Sequence, residues 1–124
     1  NLAIELQRNG GADLAAFDNL PLGTGVEVLN AEALLLVDRD ASDTEEREHV
    51  TLHFYRHPER YYIDRRPAPE SATMSDGRVT LDTPEDYELI SRLYDAVYAG
   101  APVEVEEVIH WLRRSVQPEA PRRR

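Results

Sequence analysis

Arg78-Val79-Thr80-Leu81-Asp82-Thr83-Pro84-Glu85-Asp86-Tyr87-Glu88-Leu89-Ile90 is the stretch on which the fold reading turns. Arg78 to Leu81 holds β-branched and apolar residues and reads as a short strand. Thr83-Pro84-Glu85-Asp86 reads as a helix start, with Thr83 as N-cap, Pro84 at the first helical position and acids in the first turn. Asp82 stands at the junction. A carboxylate at the carboxyl end of a strand in an α/β sheet can reach a metal or a substrate. It can equally do no more than support the helix start through its charge. Both readings stay open at this point.

The helix after Thr83 is marked by Tyr87, Ile90, Leu93, Tyr94, Val97 and Tyr98, which recur at helical spacing along one broad apolar face. Glu85, Glu88, Arg92 and Asp95 lie largely away from it, and Gly100 with Pro102 is the expected stop. The tyrosines read as core and rim packing rather than as a binding stripe.

Working outward, Leu2 to Arg8 looks like the end of an amphipathic helix stopped by Gly10-Gly11, and Ala12 to Phe17 is an apolar run of undecided type. Since a domain rarely begins inside a helix, the expectation is a fragment. Asn19 to Gly25 is a loop by composition. Val26 to Leu29 resumes strand character, with Glu27 on the face opposite Val26 and Val28. Asn30 can cap a helix through about Arg39, and a second helix is expected from Thr44 to Val50. Alternation of Val50, Leu52 and Phe54 with Thr51, His53 and Tyr55 then suggests a strand closed by His57-Pro58. Tyr61 to Ile63 reads as another strand, Arg65 to Asp76 as a flexible loop, and Glu104 to Val116 as a last helix with Val105, Val108, Ile109 and Leu112 as its stripe. Strands alternating with helices define an α/β class. One domain over 1–116 and a disordered Pro/Arg tail over 117–124 are expected.

Composition narrows the function. The 124 residues suffice for one real core, and 41% hydrophobic with 31% charged residues is ordinary for a globular protein. A formal charge of −10 speaks against a nucleic-acid partner, which needs a basic stripe. It leaves room for an anionic nucleotide bridged by a carboxylate-held cation. No apolar run nears the roughly 20 residues a membrane helix needs, so no membrane partner is expected. Without cysteine there is no disulfide, zinc-thiolate site or cysteine nucleophile. The expected location is cytoplasmic.

Few motifs carry chemistry by themselves. Gly23-Thr24-Gly25 precedes a strand, whereas a phosphate cradle opens a helix, so a tight turn is the simpler reading and close backbone approach to a ligand the functional one. Arg47-Glu48-His49-Val50-Thr51 puts a cation, an acid, an imidazole and a hydroxyl within about a turn. His49, His53 and His57 have formal metal-ligand spacing, but they share a face only in a continuous helix, against which the alternation argues. No catalytic residue is assignable, and no nucleophile elbow, Walker loop or dinucleotide fingerprint is present.

Three stretches together resemble a known family. They are Gly23-Thr24-Gly25-Val26-Glu27-Val28, Arg47-Glu48-His49-Val50-Thr51 with His57-Pro58-Glu59 behind it, and Val79-Thr80-Leu81-Asp82-Thr83-Pro84-Glu85-Asp86. In order and spacing they look like the carboxyl-terminal half of the cytidylyltransferases related to spore-coat polysaccharide biosynthesis proteins, relatives of the acylneuraminate cytidylyltransferases. The resemblance covers about Gly11 to Leu112. It implies a Rossmann-like nucleotide-diphospho-sugar transferase fold, a mixed sheet with flanking helices. The implied reaction is attack of a sugar oxygen on the α-phosphate of CTP, with Mg2+ and release of pyrophosphate. By resemblance Asp82 would be the metal ligand. Gly23, Thr24, Gly25 and Glu27 would line the acceptor-sugar side, and Arg47, Glu48 and His49 would face that pocket or a subunit interface. The implied partners are CTP, a sugar acceptor, and a second copy in a homodimer or an amino-terminal half.

The sequence departs from that family in lacking the Arg-containing, Ser/Gly-rich nucleotide loop and the second metal-binding aspartate of the amino-terminal half. Some relatives also carry Asp where this chain has Gly25. The competing expectations are a non-catalytic remnant that oligomerises or binds a sugar nucleotide, and an acidic interaction domain in which Asp82 merely supports its helix.

Overall fold

A computed structural model describes residues 1–115. The tail expected over 117–124, and Val116 at the end of the last predicted helix, lie outside the described residues. The chain divides into two units, one of Asn1–Asp18 with Val26–Pro67, the other of Asn19–Gly25 with Ala68–Arg124.

The first unit is organised on β1 (Leu14–Asp18), the apolar run whose type the sequence left undecided. Helix α1 (Leu2–Gly10) precedes it and stops as expected at Gly11, whose φ of 65° is the left-handed cap that glycine adopts without strain. β1 pairs antiparallel with β2 (Glu27–Leu29), Leu14 opposite Leu29, and parallel with β3 (Ile63–Pro67), Leu14 opposite Ile63. The three-stranded sheet is therefore mixed, in the order β2-β1-β3. A parallel partner needs a long crossover, and α2 (Ala31–Asp40), α3 (Thr44–Glu48) and α4 (Leu52–Arg56) lie within it. Leu14, Ala15 and Ala16 are buried in succession, the pattern of a strand covered on both faces. Leu14, Ala16, Ala33, Val37, Ala41, Phe54 and Tyr61 form the core.

Asn30 caps α2 as read, its Oδ1 accepting from Ala33 N at 3.1 Å. Asp43 caps α3 by accepting from the amides of Glu45 and Glu46. The strand expected at Val50 to Tyr55 is instead helix α4. Its backbone closes a helical turn, with His57 N donating to His53 O at 3.2 Å and to Phe54 O at 3.3 Å, and Val50 is exposed. Nor is Arg65–Asp76 one loop. β3 runs through Pro67, tolerated because β3 is an edge strand, and a 3-10 turn follows at Glu70–Ala72.

The second unit rests on two helices, α5 (Pro84–Val97) and α6 (Val105–Ser115). Leu93 packs with Val108 and Leu112, flanked by Met74, Val79, Val97, Val103 and Trp111. The α6 stripe is as predicted, with Val108, Ile109 and Leu112 buried. α5 ends at Val97, three residues before the glycine expected to stop it. Its tyrosines are not core: Tyr87, Tyr94 and Tyr98 are all exposed, and Leu93 is the buried residue of the helix. No helix among the described residues is long and apolar enough to cross a membrane.

Candidate functional site

In the second unit the chain from Pro21 to Thr24 is laid against the segment leading into α5. Leu22 N donates to Gly77 O at 2.8 Å and Val79 N to Leu22 O at 2.7 Å, making one parallel bridge between Leu22 and Arg78. The strand expected at Arg78–Leu81 shrinks to this bridge, and the amides of Asp82 and Thr83 that follow are taken by the Asp86 side chain. Thr24 folds back, with N and Oγ1 both donating to Pro21 O at 3.1 and 2.8 Å. Gly23 sits at φ 101°, and a Cβ there would lie 2.7 Å from Val79 O. Only glycine fits this close approach of two backbones. At Gly25 a Cβ would meet nothing within 4 Å.

The α5 start has the Thr83 N-cap that the sequence announces, and the structure completes it as a capping box with Asp86. Thr83 Oγ1 accepts from Asp86 N, while Asp86 Oδ2 accepts from the amides of Thr83 and Asp82, each at 3.0 Å. Those amides, that of Asp82 foremost, and the Arg78 guanidinium hold the Asp86 carboxyl below its ordinary range. Arg78 Nη2 donates to Asp86 Oδ2 at 3.1 Å and to Asp82 Oδ2 at 3.2 Å. The two aspartates thus divide the work. Asp86 is consumed by the helix cap. The Asp82 side chain is 70% exposed, with one arginine contact.

Glu27, Arg47, Glu48 and His49 belong to the first unit, Gly23, Thr24, Gly25 and Asp82 to the second. Glu27 lies beside Tyr55, whose phenol is raised above its ordinary range by burial and then by the Glu27 carboxylate. Arg65 holds that phenol from the other side, donating to Tyr55 Oη at 2.7 Å and pairing with Asp18. Arg47 is engaged locally, donating to the carbonyls of Ala41 and Asp38 at 3.0 and 3.1 Å and pairing with the Asp38 carboxylate. That ties α3 to the end of α2. Glu48 and His49 are exposed at the end of α3, where His49 is the C-cap.

Comparison with known proteins shows what the chain is similar to. No protein-family profile matches the chain. It is 35% identical over 116 residues to the spore coat polysaccharide biosynthesis protein SpsF of Bacillus subtilis, covering 93% of this chain and 48% of that protein. An uncharacterized protein of Methanocaldococcus jannaschii is 26% identical over 117 residues, covering 92% of this chain and 46% of that one. A cytidylyltransferase structure from Leptospira borgpetersenii superposes with a TM-score of 0.77 at 18% identity, over 92% of this chain and 49% of that one. The chain resembles SpsF in sequence and that cytidylyltransferase in fold. Its fold matches that of about half of that structure, and it spans about half the length of the relatives it matches.

Seen against a cytidylyltransferase-like fold, the sequence located the exposed carboxylate and the glycine turn but missed their supports. Arg78 and Asp86 were read as strand and helix acid, and the capping-box spacing from Thr83 to Asp86 was the signal that assigns Asp86 to the cap. In the first unit, Tyr55 beside Glu27 and Arg65 beside Tyr55 fall in an expected strand and an expected loop, which carry no sign of either contact.

Proposed function

We propose that this chain is the sugar-side half of a cytidylyltransferase-like enzyme that transfers CMP from CTP to a sugar acid or related sugar in surface polysaccharide biosynthesis. In the step, a sugar hydroxyl oxygen bonds to the α-phosphorus, the bond from that phosphorus to the bridging oxygen breaks, and pyrophosphate leaves. The observation that carries this reading is the 35% identity to SpsF along 93% of the chain.

On this reading Gly23, Thr24 and Gly25 of the second unit offer a turn whose backbone a sugar can approach closely, and the Glu27 carboxylate of the first unit can accept hydrogen bonds from sugar hydroxyls. Asp82 is the ligand for Mg2+. A single exposed carboxylate fits an ion that draws its remaining ligands from phosphates and water. Mg2+ held there would offset the charge that develops on the phosphoryl oxygens. Arg47 positions the segment that presents Glu48 and His49 to the sugar or to a second subunit of a homodimer, in a cytoplasmic enzyme. The exposed tyrosines of α5 favour a second reading, a non-catalytic module that binds a sugar nucleotide or oligomerises.

The test is release of pyrophosphate from CTP by the full-length protein with Mg2+ and a panel of sugar acids. Turnover that requires both CTP and a sugar supports the proposal. Tight binding of a CMP-sugar without turnover supports the second reading. The absence of both contradicts each of them.

A further inference from the structure

Apart from the residues discussed so far, α3 and α4 bring one acid and two imidazoles together. Glu46, His53 and His57 each offer a ligand atom, and these atoms lie within 4.8 Å of one another. His53 Nδ1 is 2.6 Å from Glu46 Oε2, and His57 Nε2 is 3.8 Å from Glu46 Oε1. The rings of His53 and His57 stand 4.3 Å apart between centroids. Helix α4 and its cap cause this, since residues four apart share a face. The strand reading of Val50–Tyr55 had argued such a pairing away. His49, the other histidine of the series, is left out because α3 ends there, and Glu46 is the third ligand-bearing group.

Three features set this cluster apart from an ordinary buried ion pair. Glu46 and His53 are both more than nine-tenths buried, yet His53 Nε2 has no hydrogen-bond partner among the described residues. A buried polar atom without a partner is a rare thing that calls for a ligand or an ion. His57 has the outer arrangement of a metal-binding imidazole: its Nδ1 faces the Glu59 carboxylate at 3.4 Å, which leaves Nε2 directed toward Glu46. Finally, His57 is about a third exposed, which gives an ion a route in. Arg56 also touches Glu46 Oε1, at 3.5 Å, but it pairs with Asp43 and Glu45 as well and keeps both if Glu46 turns to a cation.

We infer that Glu46, His53 and His57 form a binding site for a divalent transition-metal ion of the zinc class, separate from the magnesium chemistry proposed at Asp82. Two imidazoles with one carboxylate select zinc over magnesium, which prefers oxygen ligands. Three protein ligands leave a position for water in a tetrahedral ion. Its structural effect is to join α3 to both ends of α4, two five-residue helices too short to be stable alone.

The test uses the full chain, stripped with chelator and titrated with Co2+ as a visible probe and then with Zn2+. The expected result is a tetrahedral Co2+ absorption band that saturates at one equivalent, displacement by Zn2+, and a higher melting temperature with Zn2+. Glu59→Gln, an exposed change, weakens Zn2+ binding about 10–100-fold by removing the outer partner of His57. His57→Gln weakens it further, and His110→Gln on α6 leaves it unchanged. Absence of the band at one equivalent overturns the proposal, as does unchanged Zn2+ affinity in both Glu59→Gln and His57→Gln. Neither readout depends on turnover, so failure here is distinct from failure of the proposed cytidylyltransferase activity.

Discussion

In the unit built on β1, Leu14, Ala15 and Phe54 are wholly removed from solvent, whereas α5 in the other unit buries Leu93 and leaves Tyr87, Tyr94 and Tyr98 exposed. The first unit is held by burial on both faces of a central strand. The second is held by a two-helix core and by local backbone chemistry at Gly23 and Thr83. The contrast teaches that the exposed carboxylate proposed for metal binding sits where the structure is secured by caps and turns. A ligand can reach such a place.

The contrast is sharpest in the cores. Phe54→Ala should destabilise the first unit by about 3–5 kcal/mol, the usual cost of emptying an aromatic core position. Tyr94→Ala should change stability by no more than about 0.5 kcal/mol, as for other exposed sites. Urea unfolding followed by circular dichroism measures both. A large loss at Tyr94 would mean that α5 is packed after all.

The two glycines of one turn divide in the same way. Gly23→Ala must place a Cβ 2.7 Å from Val79 O at a φ of 101°, and should cost more than about 1 kcal/mol. Gly25→Ala meets nothing and should be neutral or stabilising by about 0.4–1 kcal/mol. Thermal melts of the pair decide whether the turn depends on close approach or only on composition.

These pairs also mark how far the sequence could be read. The Thr83 N-cap, the Asn30 cap and the Gly11 stop were legible because each is a local signal of residue type and position. The α4 helix was not. Val50, Leu52 and Phe54 alternate like a strand, and the helical turn shows only in the backbone bonds from His57 N to His53 O and Phe54 O. The tyrosines of α5 misled in the opposite sense, since helical spacing of aromatics does not say whether anything covers them. In the second unit Asp82 and Gly23 could be named from position, and Arg78 lies only four and eight residues from the aspartates it holds; in the first, Arg65 depends on Asp18, a contact far apart in sequence.

Smaller effects probe the α5 start. Thr83→Ala should cost about 1 kcal/mol by removing the cap acceptor. Asp86 adds a pH dependence. Its folded pKa lies below the unfolded value, so its stabilisation is complete above the unfolded carboxyl pKa of about 4 and is lost as the pH falls through the folded one. Melting temperatures measured from neutral to acid pH should therefore fall, and Asp86→Asn should flatten part of that slope. An unchanged slope would remove Asp86 from the cap.

The most direct test of the central claim is Asp82→Asn in the full-length protein, with kcat/KM for CTP-dependent pyrophosphate release and the melting temperature measured side by side. The account predicts a loss of about 100-fold or more in kcat/KM, on the scale of removing one transition-state charge contact, with the melting temperature unchanged. A lowered melting temperature with kcat/KM intact would contradict it and return Asp82 to the role of a helix-start charge.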